Sequence, residues 1–245
     1  LFIYRNSISN ACIPSQWKLS TVVPIFKKGN RSQPTNYRPI ALTSSFCRIL
    51  ERIISKHLLH HLISNNLLLP NQFGFVPNRS SCDQLLWCLN DWCVSYGKSI
   101  SQYVVYTDIT KAFDSVSHKK LVDILKSYGV YSKLLIWFDS FLTNRLQIVK
   151  INSTSSSALP ITSGVPQGSV IGPLTFLIFL NDIILKIQSQ HNVKIALFAD
   201  DAKFQSNDPI ALQACLNTFS DTIFHHQLKL APHKCQTLYI AKKNL

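Results

Sequence analysis

The chain has 245 residues, of which 46% are hydrophobic and 15% charged, so a wholly disordered chain is excluded. Its 25 Lys and Arg outnumber 12 Asp and Glu, and the resulting formal net charge of +13 favours a polyanionic partner, either nucleic acid or an anionic membrane surface. The longest apolar stretch, residues 170–185, is interrupted by Pro173, Asn181 and Asp182, so we predict no transmembrane helix. We also find no secretion-signal pattern at the N-terminus.

The seven cysteines are odd in number and irregularly spaced, and none forms a Cys-x-x-Cys pair. This spacing does not favour a zinc site, and free thiols in a reducing compartment are the plain interpretation. The chain begins with Leu and contains no Met. We therefore expect it to be a piece of a longer protein.

Hydrophobic periodicity predicts a mixture of helices and strands after a first stretch of about 20 residues that carries little signal. The predicted helices are 45–64, 81–96, 117–128, 131–142, 169–187 and 211–227. The predicted strands are 20–26, 102–107, 146–151, 158–161, 195–198, 202–204 and 238–241, with 27–40 and 72–75 extended or looped. Because strands and helices do not alternate as βαβ units, the pattern indicates the α+β class.

Basic residues cluster in two places, the loop that contains Lys27 and Lys28 and one face of the helix 45–64. That face carries Arg48, Arg52, Lys56 and His60, and the neighbouring His57 and His61 belong to the same helix. The commonest explanation of such a cluster is a solvated face, and a surface that faces nucleic acid is the alternative. A metal site on this helix is the less favoured interpretation.

Two adjacent acids, Asp200 and Asp201, separate the apolar run 195–198 from the next apolar residues, a pattern that predicts a hairpin with both acids at its turn. Alone, this pattern most often means a solvated hairpin tip. A third acid, Asp108, ends the predicted strand 102–107. If these strands are neighbours, the three carboxylates converge, and two Mg²⁺ ions about 3.5–4 Å apart would support nucleotidyl transfer there. The sequence by itself leaves the adjacency open.

Three further features have both an ordinary and a functional interpretation. Phe113 either covers a core edge, with Asp114 capping the next helix, or lies under the sugar of a nucleotide, and the residues alone favour neither. The loop 164–169 contains two glycines that allow a close approach to phosphate or base, although a glycine loop is weak evidence by itself. Lys234 is most simply a solvated charge.

Taken in order, several motifs resemble the reverse transcriptase domain of non-LTR retrotransposons, and the CR1 and Jockey-like branch of LINE elements is the most similar. The block 137–145 (WFDSFLTNR) supports that branch over intron-encoded maturases, and the resemblance covers about residues 20–243. The motifs are NYRPI (36–40), QFGF (72–75), YTDITKAFDSV (106–116), SGVPQGSVIGPLTFLIFLND (163–182), FADD (198–201) and LAPHKC (230–235).

The resemblance implies a right-hand polymerase fold of the α+β class, with fingers and a palm built on an antiparallel sheet. We expect the fingers at about 20–97 and 117–160, and the palm at about 98–116 and 161–245. No thumb and no endonuclease domain are expected within residues 1–245.

The resemblance also implies which residues act on the metal ions. Asp108, Asp200 and Asp201 match the catalytic carboxylates of the family. Asp108 and Asp200 are the expected direct ligands, with the carbonyl oxygen of Ile109. Two Mg²⁺ ions are the expected cofactors, with Mn²⁺ as the alternative.

Four other positions match nucleotide-binding residues of the family. Phe113 corresponds to the aromatic residue that discriminates between sugars, and Gln167 to a residue that contacts the nucleotide and template. Arg38 corresponds to the arginine that binds the triphosphate. Lys234 corresponds to a lysine that acts as general acid for the pyrophosphate.

The implied function is an RNA-directed DNA polymerase that extends a DNA primer on an RNA template with dNTPs, located inside the cell in the nucleus and cytoplasm. Val76, Asn78 and Ala231 depart from the family pattern at positions where Arg, Gly and Asn are usual. They motivate the alternative of a catalytically decayed relic that binds nucleic acid. A two-metal nuclease leaves the nucleotide-binding positions unexplained, and a membrane-surface protein lacks a basic amphipathic anchor.

Overall fold

The computed structural model describes residues 1–242, and the helices and strands in that range alternate irregularly along the chain. The α-helices are α1 (Phe2–Ser9), α2 (Ser45–Ser64), α3 (Ser81–Gly97), α4 (Ala112–Ser115), α5 (His118–Ser127), α6 (Ser132–Leu142), α7 (Gly172–Gln188) and α8 (Pro209–His225). The strands are β1 (Leu19–Phe26), β2 (Tyr37–Leu42), β3 (Gln102–Thr107), β4 (Arg145–Ile151), β5 (Thr154–Ser155), β6 (Leu159–Ile161), β7 (Lys194–Phe198), β8 (Asp201–Ser206) and β9 (Gln236–Ile240).

The chain divides into two compact units, the first of which comprises residues 1–67 and 113–176. Its sheet has the order β2-β1-β4-β5, with β6 also paired to β4. Strands β1 and β4 run parallel, whereas β2 is antiparallel to β1. Four apolar side chains of α6, Trp137, Phe138, Phe141 and Leu142, are buried, and the stacked rings of Trp137 and Phe141 lie 5.4 Å apart. These aromatic residues make α6 a central part of the core of this unit.

The second unit comprises residues 68–112 and the chain from 177 onward. Its sheet has the order β7-β8-β3-β9, and all of its neighbouring strands are antiparallel. Because side chains alternate along a strand, β8 presents Phe204 to one face, against Phe219 of α8, and Gln205 to the other, where it accepts a hydrogen bond from Trp92 of α3. Helices therefore cover both faces of this strand.

The predicted elements are present with small shifts of their ends, and the structure adds four that the patterns did not indicate. One of these is β5, which lies in the segment 154–157, predicted as a loop from its run of Thr and Ser. Helix α1 lies in the segment without signal, α4 follows β3, and β2 occupies part of the predicted extended segment. The Pro34–Asn36 turn is 3₁₀-helical rather than extended. Fingers and palm are subdomains of a polymerase, whereas the two compact units described above are defined by contacts within the chain. The expected bounds of the fingers and palm therefore remain a prediction.

None of the helices in residues 1–242 is long and apolar enough to cross a membrane. All seven cysteines are free thiols, and three of them, Cys47, Cys88 and Cys215, are buried. Burial raises the pKa of the Cys215 thiol to about 11.

Candidate active site

The three acids of the predicted catalytic set lie at one edge of the second unit's sheet. Asp108 directly follows β3, Asp201 is the first residue of β8, and Asp200 lies in the turn before it. The register pairs Thr107 with Ala202, so the end of β3 and the start of β8 are adjacent. The adjacency that the sequence left open is therefore present.

The turn between β7 and β8 has two residues, Ala199 and Asp200, between the paired positions Phe198 and Asp201. Ala199 has a φ of +56°, and a positive φ at the first turn position is what the favoured two-residue hairpin turns require. The turn is supported from outside, since Gly74 packs directly against the backbone of Ala199. These contacts determine where Asp200 is held.

Substituting Gly74 with Ala is expected to displace this turn. An added Cβ would lie 2.3 Å from the backbone nitrogen of Ala199 and 3.1 Å from the carbonyl carbon of Phe198, and backbone atoms cannot rotate away. We expect a loss of about 1–3 kcal/mol in the free energy of unfolding and a fall in any activity that depends on Asp200. Chemical denaturation measures the first effect. The matched control is Gly97→Ala, because a Cβ there meets nothing within 4 Å; equal stability of the two variants would contradict the expectation.

The three acids repel one another, and Lys234 relieves part of this repulsion. The ammonium group of Lys234 lies 3.0 and 3.2 Å from the two carboxylate oxygens of Asp108. Partial burial raises the pKa of Asp201, and the charges of Asp200 and Asp108 raise it further, while Lys234 lowers it. The edge thus favours the presence of positive charge.

The backbone next to Asp108 is positioned by residues that precede Lys234. Ala231 donates its N–H to the carbonyl oxygen of Asp108, and Thr110 donates to the carbonyl oxygen of Lys229. These two bonds flank the bridge between Ile109 and Leu230, so neither uses the carbonyl group of Ile109. The contact from Ala231 is made by its backbone, and it therefore does not depend on the Asn usual in the family.

Residues 1–242 contain no group of three or more His, Cys, Asp and Glu side chains arranged to hold a metal ion. The donor chemistry nonetheless fits a hard cation, since three carboxylates share one edge and an ammonium group already contacts both oxygens of Asp108. The ammonium of Lys234 stands where a cation is favoured.

Three of the predicted nucleotide-binding residues, Arg38, Phe113 and Gln167, lie in the first unit. The ring of Phe113 stacks on that of Phe176 at 4.3 Å, so its orientation is set by the core. The side-chain amide of Gln167 donates to Asp114 at 2.6 Å. Of the two interpretations left open for this segment, the ordinary one had Asp114 capping the next helix. The structure instead has Ser117 at the N-cap of α5, and Asp114 accepts the hydrogen bond from Gln167.

The loop that carries Gln167 is fixed at several points by its backbone. Gly164 and Val165 donate to the carbonyl oxygens of Val116 and Phe113, and Gln167 accepts from the N–H of Ala41 in β2. A cavity of about 380 Å³ lies beside this loop, between Pro39, Asp114 and Gln167. Arg38, the third predicted nucleotide-binding residue of this unit, is exposed on β2 next to Pro39.

Sequence reasoning missed Glu51, which is fully buried on α2. One of its carboxyl oxygens accepts from the backbone N–H groups of Val170 and Ile171, at 2.7 and 3.1 Å, just beyond the Gln167 loop. Cys47 lies one turn earlier in the same helix. Burial raises the pKa of its thiol, and the nearby Glu51 raises it further. The signal was present, because Glu51 is the only glutamate of the chain and lies among the apolar positions of the helix.

The departures after QFGF have a structural explanation at one position. Asn78 has a φ of +59°, a backbone conformation that suits the usual Gly and that Asn adopts more readily than most residues. The next residue, Arg79, donates to the carbonyl oxygens of Pro70 and Gln72, both at 2.6 Å. It thereby orders the loop that precedes Gly74. The structure offers no explanation for Val76.

A family model described as reverse transcriptase (RNA-dependent DNA polymerase) matches residues 25–244. The chain belongs to the reverse transcriptase family. The match covers both units, so it includes Arg38, Phe113 and Gln167 as well as the edge of the sheet that carries Asp108 and Asp200.

Curated proteins similar to this chain include two from mobile elements of Drosophila melanogaster. The RNA-directed DNA polymerase from mobile element jockey is 28% identical over 254 residues, which covers 98% of this chain and 27% of the relative. The probable RNA-directed DNA polymerase from transposon BS is 29% identical over 210 residues, which covers 81% of this chain and 22% of the relative. These matches confirm the predicted resemblance to Jockey-like LINE elements. The reverse transcriptase chain spans about a quarter of the length of these relatives.

Solved structures similar to this chain include telomerases. Apo telomerase from Candida tropicalis, truncated from its C-terminal domain, has a TM-score of 0.70 at 11% identity, covering 95% of this chain and 52% of that one. Telomerase from the same organism, in complex with a fragment of telomeric RNA, has a TM-score of 0.71 at 12% identity, covering 97% of this chain and 44% of that one. At this identity the likeness concerns the fold alone, and it confirms the predicted right-hand polymerase fold.

Proposed function

We propose that this reverse transcriptase chain is the RNA-directed DNA polymerase region of a Jockey-like non-LTR retrotransposon. The observation that carries the proposal is the convergence of Asp108, Asp200 and Asp201 at one edge of an antiparallel sheet. Polymerisation needs an anionic cluster of this kind, because phosphoryl transfer depends mostly on positioning and on neutralising charge.

Asp108 and Asp200, with the carbonyl oxygen of Ile109, are the proposed ligands of two Mg²⁺ ions, with Mn²⁺ as the alternative. When bound, the ions lower the pKa of the primer 3′-hydroxyl and stabilise the charge on the leaving oxygen. Asp201 contributes negative charge beside them. Lys234 is able to leave Asp108 for the departing pyrophosphate, to which it donates a proton from Nζ.

The remaining roles concern the incoming dNTP. Phe113 lies under the sugar, and its stacking on Phe176 makes the ring a fixed obstacle to a 2′-hydroxyl. Asp114 orients the amide of Gln167 toward its nucleotide and template contacts. Arg38 is exposed and binds the triphosphate, for which a guanidinium is well suited.

The proposed partners are an RNA template and a DNA primer, and the distribution of charge supports them. The first unit contains fifteen Lys and Arg against four Asp and Glu, a net charge of +11, so most of the chain's charge of +13 lies there. Phosphate contacts dominate nucleic-acid affinity, and they require such a surface.

Primer extension tests the proposal. The purified chain, an RNA template annealed to a DNA primer, dNTPs and Mg²⁺ are combined, and elongated DNA is the expected product. A protein that binds the template–primer without extending it at any Mg²⁺ or Mn²⁺ concentration would support the decayed relic instead.

Substituting Phe113 with Val is expected to weaken the selection against ribonucleotides. A shorter side chain removes the ring from the space that a 2′-hydroxyl would enter, so the ratio of kcat/KM for dNTP over rNTP should fall at least ~10-fold. Steady-state incorporation of single nucleotides gives this ratio. Phe113→Tyr is the control, since it keeps the ring and should keep the selection; an unchanged ratio in Phe113→Val argues against the role.

A further inference from the structure

Helix α2 carries a row of basic side chains that the proposed catalytic roles do not use. Arg48, Arg52, Lys56 and His60 recur at every fourth residue and are all exposed. With a rise of about 1.5 Å per residue, neighbours along the row are ~6 Å apart and the row is ~18 Å long. We call these four residues the basic row.

The orientation of the basic row is fixed by the opposite face of α2. Leu50, Ile54, Leu58 and Leu62 are all at least 94% buried, and Glu51 on the same face anchors the helix through Val170 and Ile171. The helix therefore cannot rotate to hide its charges. The row is a permanent feature of the surface of the first unit.

Within residues 1–242, no Asp or Glu forms an ion pair with a member of the basic row, since the four ion pairs found there involve other residues. Like charges four residues apart on a helix are destabilising, by about 0.2–0.5 kcal/mol per pair. The unit as a whole has only four acids to offset fifteen basic residues. A polyanion laid along the row would remove this repulsion.

We propose that the basic row is a docking surface for the phosphodiester backbone of single-stranded RNA, separate from the nucleotide-binding residues. Its step of ~6 Å is close to the distance between successive phosphates of an extended strand, so three or four phosphates match its length. Arg48 and Arg52 are suited to bidentate phosphate contacts. The proposal rests on the proposed function for its choice of RNA as the polyanion.

The side chains beside the row favour RNA over an acidic membrane. Phe46 is 62% exposed, and its ring offers a platform on which an unpaired base stacks. A shallow groove lined by Ser45, Arg48, Ile49 and Arg52 opens between the two arginines. A membrane would instead require a broad free apolar face. The main apolar face of α2 is buried in the core, and beside the row only Phe46, Ile49 and Ile53 form a narrow exposed apolar strip.

The test compares two triple variants that remove equal charge from the same unit. Arg48→Gln/Arg52→Gln/Lys56→Gln neutralises the basic row, and Lys119→Gln/Lys126→Gln/Lys133→Gln neutralises three exposed lysines on α5 and α6. Binding of a labelled, mixed-sequence single-stranded RNA is measured over a range of KCl concentrations, without Mg²⁺ or dNTPs. We expect the row variant to bind at least ~10-fold more weakly and to lose about 2 from the slope of log K against log salt, at ~0.7 per phosphate contact.

Three results would overturn the docking surface. The first is equal weakening of RNA binding in both triple variants, which indicates an effect of net charge alone. The second is unchanged RNA binding by the row variant. The third is a row variant that loses binding to phosphatidylserine vesicles but keeps its RNA binding. Thermal melting shows that the row variant is folded, since removing like charges should not lower its Tm. The RNA-binding assay needs no catalysis, so it tests the docking surface separately from the proposed function. If RNA binding depended on the basic row but the chain never extended a primer, the docking surface would stand and the polymerase function would be rejected.

Discussion

Replacing Asp200 with Asn is expected to lower the rate of primer extension by on the order of 10²–10³-fold, because several kcal/mol of transition-state charge stabilisation are lost. Asparagine is nearly isosteric, but it lacks the negative charge on which the proposed metal site depends. Single-turnover extension on a preformed RNA–DNA duplex isolates this effect from product release. Binding of the duplex without Mg²⁺ should change little.

The structure also predicts that this loss is not due to misfolding. The charge of Asp200 contributes to the raised pKa of Asp201, so its removal relieves repulsion at the edge of the sheet. The Tm of Asp200→Asn should therefore lie close to that of the unmodified chain. Asp221→Asn, which neutralises an exposed acid on α8, is the matched control and should retain full extension. Extension by Asp200→Asn within a few-fold of the parent would falsify the assignment.

Replacing Glu51 with Leu is expected to reduce the free energy of unfolding by about 2–6 kcal/mol, the largest effect on stability that we predict. The backbone N–H groups of Val170 and Ile171 both donate to its carboxyl group, and each buried donor without an acceptor costs about 1–3 kcal/mol. Burial of a leucine of similar volume does not offset this loss. Denaturant unfolding measures the effect.

Two further substitutions at this helix separate the hydrogen bonds from packing. Glu51→Gln retains an acceptor oxygen without the carboxylate, so its cost should lie between those of the parent and of Glu51→Leu. Ser55→Ala, on the same helix and only partly buried, leaves both bonds intact and should change stability little. If Glu51→Leu were as stable as Ser55→Ala, the two amide bonds would not be what holds α2 to the start of α7.

The sequence by itself determined the local elements and the residue types of the site. The apolar run before Asp200 and its resumption at Ala202 predict a hairpin from two apolar segments separated by a short polar turn, and the structure contains it. Periodicity of 3.6 residues predicted the six longer helices for the same reason, since both signals depend on neighbours within a few positions. The order of the motifs added the family and the fold.

Only the tertiary structure decided which distant residues meet. Asp108 and Asp201 are adjacent because β3 pairs with β8, Lys234 contacts Asp108 across 126 positions, and Glu51 reaches Val170 across 119. Local patterns carry no information about such pairings, because the path of the whole chain sets them. The same reason explains why the residues alone left the role of Asp114 open, since its partner Gln167 lies 53 positions away.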